Sequence, residues 1–285
     1  MKVIPLASDS MGVRSLSVLV EIDGSNSILI DGGVRLGPKR YGLAPTNLEM
    51  EALKNYELVV QKALHGANMV IVSHYHYDHY FPDSTEYGGK TLFVKDPNSN
   101  INASQRTRGG LFTALQEEDS KVIVADGKEF TIDDITMRFS EPVPHGIEDS
   151  PLGFVLMTEL HDERSGETLL HTSDVQGPVS MRTTEKIIDV NPDILILDGA
   201  PTYLQDWREP FVMERVQDNL IKILDSVKGT VIMDHHHLRD QDWRHIYSRA
   251  VKDREILNFA KYNGLEATML ESRRKDIWRS EHGED

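Results

Sequence analysis

The chain has 285 residues, 39% of them hydrophobic, a formal net charge of −15 and no cysteine. That is enough apolar material for a core, at a length that suits one large α/β or all-β domain, and zero cysteines exclude disulfides, thiolate metal sites and a cysteine nucleophile. The acidity argues against extensive nucleic-acid binding, because non-specific affinity grows with the number of Lys and Arg contacts to phosphate.

In chain order, short strands are expected at 3–7, 16–22 and 27–30, with a turn at Asp23-Gly24-Ser25-Asn26. Asp31-Gly32-Gly33 ends the third. Thr46 followed three residues on by Glu49 is a capping box. Leu53, Tyr56, Val60 and Ala63 then recur at helical spacing until Gly66. The apolar, β-branched run 68–72 reads as a buried strand and leads into Ser73-His74-Tyr75-His76-Tyr77-Asp78-His79. A strand at 91–94 follows, and residues 101–119 look helical in their second half only. Strands are expected at 121–124, 129–132, 135–139, 153–159 and 168–170, with Asp126-Gly127 and Ser165-Gly166 as hairpin turns.

After residue 180 the pattern alternates helix and strand: helix 184–190, strand 194–197, a long helix bearing Val212, Val216, Leu220, Ile223, Leu224 and Val227, then strand 230–233. A final helix is expected from near Asp242, carrying Trp243, Ile246, Tyr247, Ala250, Leu257 and Ala260 and capped at Asn263-Gly264, before a last strand at 267–270. The Ser272-Arg273-Arg274-Lys275 cluster reads as a solvated end, so that residues 272–285 form a flexible tail on a single domain spanning 1–285. Many strands followed by helix, twice over, give an α/β protein with two mixed sheets face to face and helices outside, a four-layer αββα sandwich. No apolar run approaches the roughly 20 residues that span a bilayer. The opening MKVIPLASDS lacks a charged-then-apolar signal pattern, and the expected location is the cytoplasm, without a membrane partner.

The candidate ligands sit beyond strand ends, where α/β folds build their sites. His74 and His76, two apart on an extended segment, can face one ion, while Asp78 and His79 come as the chain turns and can face a second. His145 lies in Pro142-Val143-Pro144-His145-Gly146, Asp174 in His171-Thr172-Ser173-Asp174, and His235, His236 and His237 follow strand 230–233. Any one of these alone is more often a hydrogen-bonded structural residue; their joint occurrence carries the argument. Arg106 and Arg108, in Ser104-Gln105-Arg106-Thr107-Arg108-Gly109-Gly110, read as a flexible cationic loop able to clamp an anionic substrate bidentately. Tyr203 is a candidate for the pocket wall and His237 for a proton donor to the leaving group.

Taken in order, the Asp31-Gly32-Gly33 turn, the His74-x-His76-x-Asp78-His79 loop, His145, Asp174 and the late histidines resemble the metallo-β-lactamase-fold superfamily of hydrolases over nearly the whole chain. With its Ser173-Asp174-Val175-Gln176-Gly177 and Asp234-His235-His236-His237 stretches, the sequence is similar to an uncharacterised archaeal family of predicted metal-dependent hydrolases within it. The resemblance implies two divalent metal ions, zinc first, with iron or manganese as alternatives. It assigns His74, His76 and His145 to one ion, Asp78, His79 and a late histidine to the other, and Asp174 to both. His235 is the first choice for the late ligand and His236 the second. Asp31 would orient the ligand loop by hydrogen bonding, and it and Asp78 count among the catalytic residues. The implied chemistry is hydrolysis by a metal-bridging hydroxide, expected on a small anionic phosphoester or phosphodiester. A thioester or other acyl hydrolase and a non-enzymatic metal-binding or regulatory protein are the alternatives. A homo-oligomer remains open. The missing cysteine departs from those β-lactamases that use one as ligand, so antibiotic hydrolysis is not expected.

Overall fold

Apolar, β-branched runs become strands in the computed structural model, which describes residues 1–23, 26–252 and 254–283. β1 (Lys2–Ser8), β2 (Leu16–Asp23), β3 (Asn26–Ile30), β4 (Met69–Val72), β5 (Thr91–Val94) and β6 (Lys121–Val124) form one sheet in that order. Its first two pairs are antiparallel and the rest parallel. Helices α1 (Asn47–Gly66) and α2 (Ala103–Gln116) make the crossovers that parallel neighbours require. The chain then builds β7 (Glu129–Ile132) and β8 (Ile135–Phe139), and a small antiparallel pair, β9 (Val143–Pro144) and β10 (Phe154–Val155). It continues through β11 (Thr158–Asp162), β12 (Thr168–His171), α3 (Met181–Val190), β13 (Ile194–Asp198), α4 (Pro210–Ser226) and β14 (Thr230–Asp234). The second sheet has the order β14-β13-β12-β11-β8-β7, parallel from β12 to β14 and antiparallel elsewhere.

Three apolar cores define four layers. Between the sheets lie Val18, Val20, Ile30, Ile71, Phe93, Met137, Leu160 and Ile196. Outside the first sheet, Val60, Leu64 and Phe112 pack on Leu29, Val70 and Leu92. Outside the second, Ile187, Leu220 and Ile223 pack on Leu195, Leu197 and Val231. Both faces of each sheet are therefore buried, which is why the strands read as continuous apolar runs. The Thr46 and Glu49 capping box forms with both of its arms.

Several expectations are corrected. Asp126-Gly127 is no hairpin: β6 and β7 belong to different sheets, and the turn carries the chain between them. The strand expected at 153–159 breaks at Leu156, whose N–H donates to Ser73 O instead of a sheet neighbour. Residues 103–109 are helix rather than loop, because the Asn102 side chain accepts from Gln105 N–H and caps α2. Gly109 is needed inside that helix, since a Cβ there would sit 2.5 Å from the Tyr75 ring. The expected final helix is two short ones, α5 (Trp243–Ile246) and α6 (Phe259–Tyr262). Leu257, read as part of a helical stripe, instead bridges Ile232 at the edge of β14. No strand forms at 267–270, where Thr268 N–H bonds Ser10 O. Gly24 and Ser25 of the expected first turn lie outside the described residues.

The carboxy-terminal segment is no solvated tail. It forms α7 (Arg274–His282), and Ser272 and Arg274 are fully buried. The Arg274 guanidinium pairs with Glu49, which is equally buried, at 2.7 Å and donates to the carbonyls of Gly37 and Leu43. A charge cluster looks like a solvated surface in sequence; here one of its members neutralises the helix-capping carboxylate at the start of α1. Arg274→Ala leaves that carboxylate buried and unpaired, a loss of about 3–5 kcal/mol, to be read from urea unfolding. A change below about 1 kcal/mol is what an exposed pair would give and would contradict this account.

Candidate metal centre

Strands from both sheets end at one edge, and nearly every polar residue of the centre follows such an end. Asp9 follows β1, Asp31 β3, the His74–His79 loop β4, His145 β9 and Asp174 β12. Asp198 closes β13, and His235 and His236 follow β14. On the extended ligand loop Tyr75 points away from its neighbours His74 and His76. It is buried in the core beneath α2, and its N–H donates to Gln105 Oε1 at 2.8 Å. The loop also runs against bare backbone: a Cβ on Gly33 would lie 2.2 Å from Tyr80 N. Asp31, Ser173 and His235 all have positive φ, at 50°, 55° and 77°, strained positions of a kind that cluster at functional sites.

The donor atoms converge in two groups. His74 Nε2 lies 3.1 Å from His76 Nδ1, which is 3.3 Å from His145 Nε2, and both Nε2 atoms are 3.5 Å from Asp174 Oδ2. On the other side, Asp174 Oδ1 is 3.2 Å from His79 Nε2 and 3.6 Å from His235 Nε2, with Asp78 Oδ2 3.7 Å from the latter. His79 Nε2 and Asp174 Oδ1 are buried without a hydrogen-bond partner. The chain therefore has His/Asp clusters suited to holding metal.

Carboxylates stand behind the histidines. Asp31 accepts from Ser73 N–H at 2.9 Å and Ser73 Oγ–H at 2.6 Å, and faces His79 Nδ1 at 3.0 Å. Asp9 Oδ2 lies 2.8 Å from His235 Nδ1. Asp198 brackets His236 Nδ1 at 2.9 and 3.0 Å, aiming its Nε2 at Asp174 Oδ2, 4.0 Å away. Burial alone would raise the Asp174 carboxyl, but His79, His235 and His74 hold it well below the usual range. Against the pull of burial, Asp174 and Asp31 push His79 well above its ordinary value. Burial and Arg239 oppose protonation of His235, yet Asp174 and Asp9 raise it to about 10. Burial, reinforced by His79, drives His74 far down, and burial with His145 takes His76 to about 4. Around Asp78 and Asp174 Oδ1 the carboxylates thus call for positive charge, while His74 and His76 keep neutral nitrogens with open lone pairs.

Other expected residues scatter. Arg106 and Arg108 sit two apart on α2, so they point to opposite sides of the helix and form no clamp. Arg106 is exposed and reaches Asn98 O at 3.4 Å, whereas Arg108 lies 4.5 Å over the ring of Tyr77 in the ligand loop. Tyr203 meets the centre indirectly, its hydroxyl accepting from Arg239 Nη1 at 3.3 Å. His237 faces away, edge-on to Trp243 and Tyr247, and neither ring nitrogen has a hydrogen-bond partner. Burial pushes it down to about 3, so it is no proton donor near neutrality. Sequence reasoning missed Asp9, Asp198 and Arg239. The first two carry the same strand-end signal that picked out Asp174; Arg239 carries none.

Two mixed six-stranded sheets with helices on the outer faces, and a His/Asp cluster at one edge, define a metallo-β-lactamase-fold protein. No family model matches the chain. It belongs to the UPF0282 family: it is 42% identical over 299 residues to a UPF0282 protein of Pyrococcus horikoshii, covering 100% of this chain and 95% of that one. Identity to a UPF0282 protein of Methanopyrus kandleri is 36% over 293 residues, 97% and 99% of the two chains. Among solved structures it is similar to zinc-bound PqqB from Methylobacterium extorquens, with a TM-score of 0.54 at 13% identity over 90% of this chain and 97% of that one. That likeness concerns the fold. Among the described residues, no helix is long and apolar enough to cross a membrane.

Because His237 lies between aromatic rings away from the donors, His237→Phe is expected to keep full metal content by elemental analysis. Loss of metal in a variant that melts like the parent would return His237 to the centre.

Proposed function

We propose that this protein is a dinuclear metal-dependent hydrolase acting on a phosphoester or phosphodiester, with zinc as the metal. The division of Asp174 carries the reading: Oδ2 serves His74 and His145 at 3.5 Å, and Oδ1 serves His79 at 3.2 Å and His235 at 3.6 Å. One carboxylate thereby belongs to two nitrogen sets. The donor set fits. Tetrahedral zinc with bonds of ~2.0–2.1 Å holds its ligand atoms about 3.3 Å apart, and the separations quoted above for both groups run from 3.1 to 3.7 Å. His74, His76 and His145 would hold one ion, Asp78, His79 and His235 the other, and Asp174 both. Such ions would supply a water of lowered pKa, toward about 7, and would neutralise charge on a phosphoryl oxygen.

The chain's own residues supply the rest. Asp31 and Asp9 accept hydrogen bonds from the Nδ1–H groups of His79 and His235, which leaves each Nε2 free for the ion. Asp198 fixes His236 so that its ring faces the substrate beside the shared carboxylate. Arg108, stacked on Tyr77 where the ligand loop reaches the surface, supplies the cation that meets an anionic substrate.

The reading is tested by elemental analysis of protein purified without added metal, followed by assays with phosphodiester and thioester reporters. About two equivalents of metal and phosphodiester cleavage abolished by chelation are expected. Cleavage of thioesters alone would refute the substrate class, and protein that cannot be loaded with metal would refute the mechanism. Asp174→Ala should lose the shared ligand and with it turnover; full metal content and activity in that variant would disprove the sharing. Arg108→Ala should raise KM for anionic substrates by about tenfold, the worth of one hydrogen bond to a charged group, with kcat little changed.

A further inference from the structure

Arg239 is buried beside the centre, yet the scheme above gives it no task. Its Nε donates to Asp9 Oδ1 at 2.8 Å and its Nη2 to Asp9 Oδ2 at 3.2 Å, while Nη1 reaches Tyr203. The same Nη2 stands 3.2 Å from His235 Nδ1 and 3.1 Å from His235 Nε2, and 3.9 Å from Asp78 Oδ2. The two nitrogens of an imidazole point in different directions within the ring plane. An atom equally near both cannot lie on either lone pair, and within the plane it would collide with the carbon between them. The guanidinium nitrogen therefore lies over the ring face. His235 is held by its edge through Asp9 and by its face through Arg239, and its Nε2 stays directed at Asp78 and Asp174.

The partner histidine is treated differently. Asp31, behind His79, accepts from the Ser73 N–H and hydroxyl, and no arginine or lysine pairs with it among the described residues. Asp9, behind His235, is neutralised by Arg239. His235 also needs restraint, since its backbone sits at φ 77° and ψ −122°.

We propose that Asp9 and Arg239 form a charge-neutral clamp that positions His235 and thereby controls occupancy of the Asp78–His79–His235 metal position independently of the His74–His76–His145 position. The proposal rests on the dinuclear reading above. Both are positioning residues, acting on the ion through His235 and Asp78. The fork matters as much as the charge: lysine has neither the planar face nor the two-point grip. Asparagine at position 9 would keep an acceptor oxygen but leave a bare guanidinium beside Asp78.

The test is stepwise Zn2+ binding to the metal-stripped full-length chain, followed with a competing chromophoric chelator, for the parent, Arg239→Lys, Asp9→Asn and His145→Ala. Arg239→Lys and Asp9→Asn are expected to weaken one equivalent by about 10–100-fold, the usual effect of removing a group behind a metal ligand, and to leave the other at parental affinity. His145→Ala should weaken the opposite equivalent, so a double variant with Arg239→Lys loses both. Unchanged binding of both equivalents in the two clamp variants would overturn the clamp alone. Parallel weakening of both equivalents, with a lowered melting temperature, would make the pair merely structural and also overturn it. A parent that binds fewer than two equivalents would instead bring down the dinuclear reading, and the clamp with it. Should Arg239→Lys fail to fold, Asp9→Asn, which preserves size and an acceptor, decides the matter.

Discussion

The hydroxyl of Ser73 fastens the two sheets together at the point where the centre is built. Its proton goes to Asp31 Oδ2 at 2.6 Å, and because a carboxylate only accepts, the hydroxyl of Ser173, also 2.6 Å away, must donate to Ser73. Asp31 and Ser73 leave the first sheet, and Ser173 leaves the second. His74 and Asp174 are the next residues along each chain segment, so two donors of different sheets are set one bond-step from a fixed cross-link. The left-handed backbone at Asp31 and Ser173 is the local cost of making the loops meet there.

From that fastening, the electrostatics of the centre follow a simple division. One side gathers three imidazoles around a single carboxylate oxygen, and burial pulls His74 and His76 below the ordinary imidazole range. The other gathers Asp78 and Asp174 with histidines that lean on further carboxylates, and against the pull of burial these carboxylates raise His79 and His235 above the ordinary imidazole range. The chain's excess of acidic residues is thus partly a property of its interior. Arg239 is the counterweight, a cation whose charge is spent on Asp9.

What could be read from the sequence was whatever is local or periodic. The four-layer fold was legible in the two rounds of strands followed by helix, and α1 in the Thr46 and Glu49 capping box, because those signals act over a few residues. The residues that the structure gathers at Asp174 were legible as strand-end His and Asp, a rule applied too narrowly, since Asp9 and Asp198 satisfy it as well. What stayed hidden depends on distant partners. Gly109 read as part of a loop because the reason for it, the Tyr75 ring pressed against it, lies elsewhere in the sequence. Arg274 read as a surface charge, and Arg239 gave no signal, because their carboxylates, Glu49 and Asp9, lie more than two hundred positions earlier.

The Glu49 and Arg274 pair has a further consequence for how the chain comes off the ribosome. Synthesis proceeds from the amino terminus at about 5–20 residues per second, so α1 and its capping carboxylate exist long before the residue that neutralises them. Until residue 274 emerges, the Glu49 carboxylate has the Thr46 N–H and hydroxyl of its own capping box as partners but lacks the arginine that neutralises it. The pair thereby ties the start of α1 to a segment 225 residues further along the chain, so the charge buried at that helix end is compensated only late in synthesis.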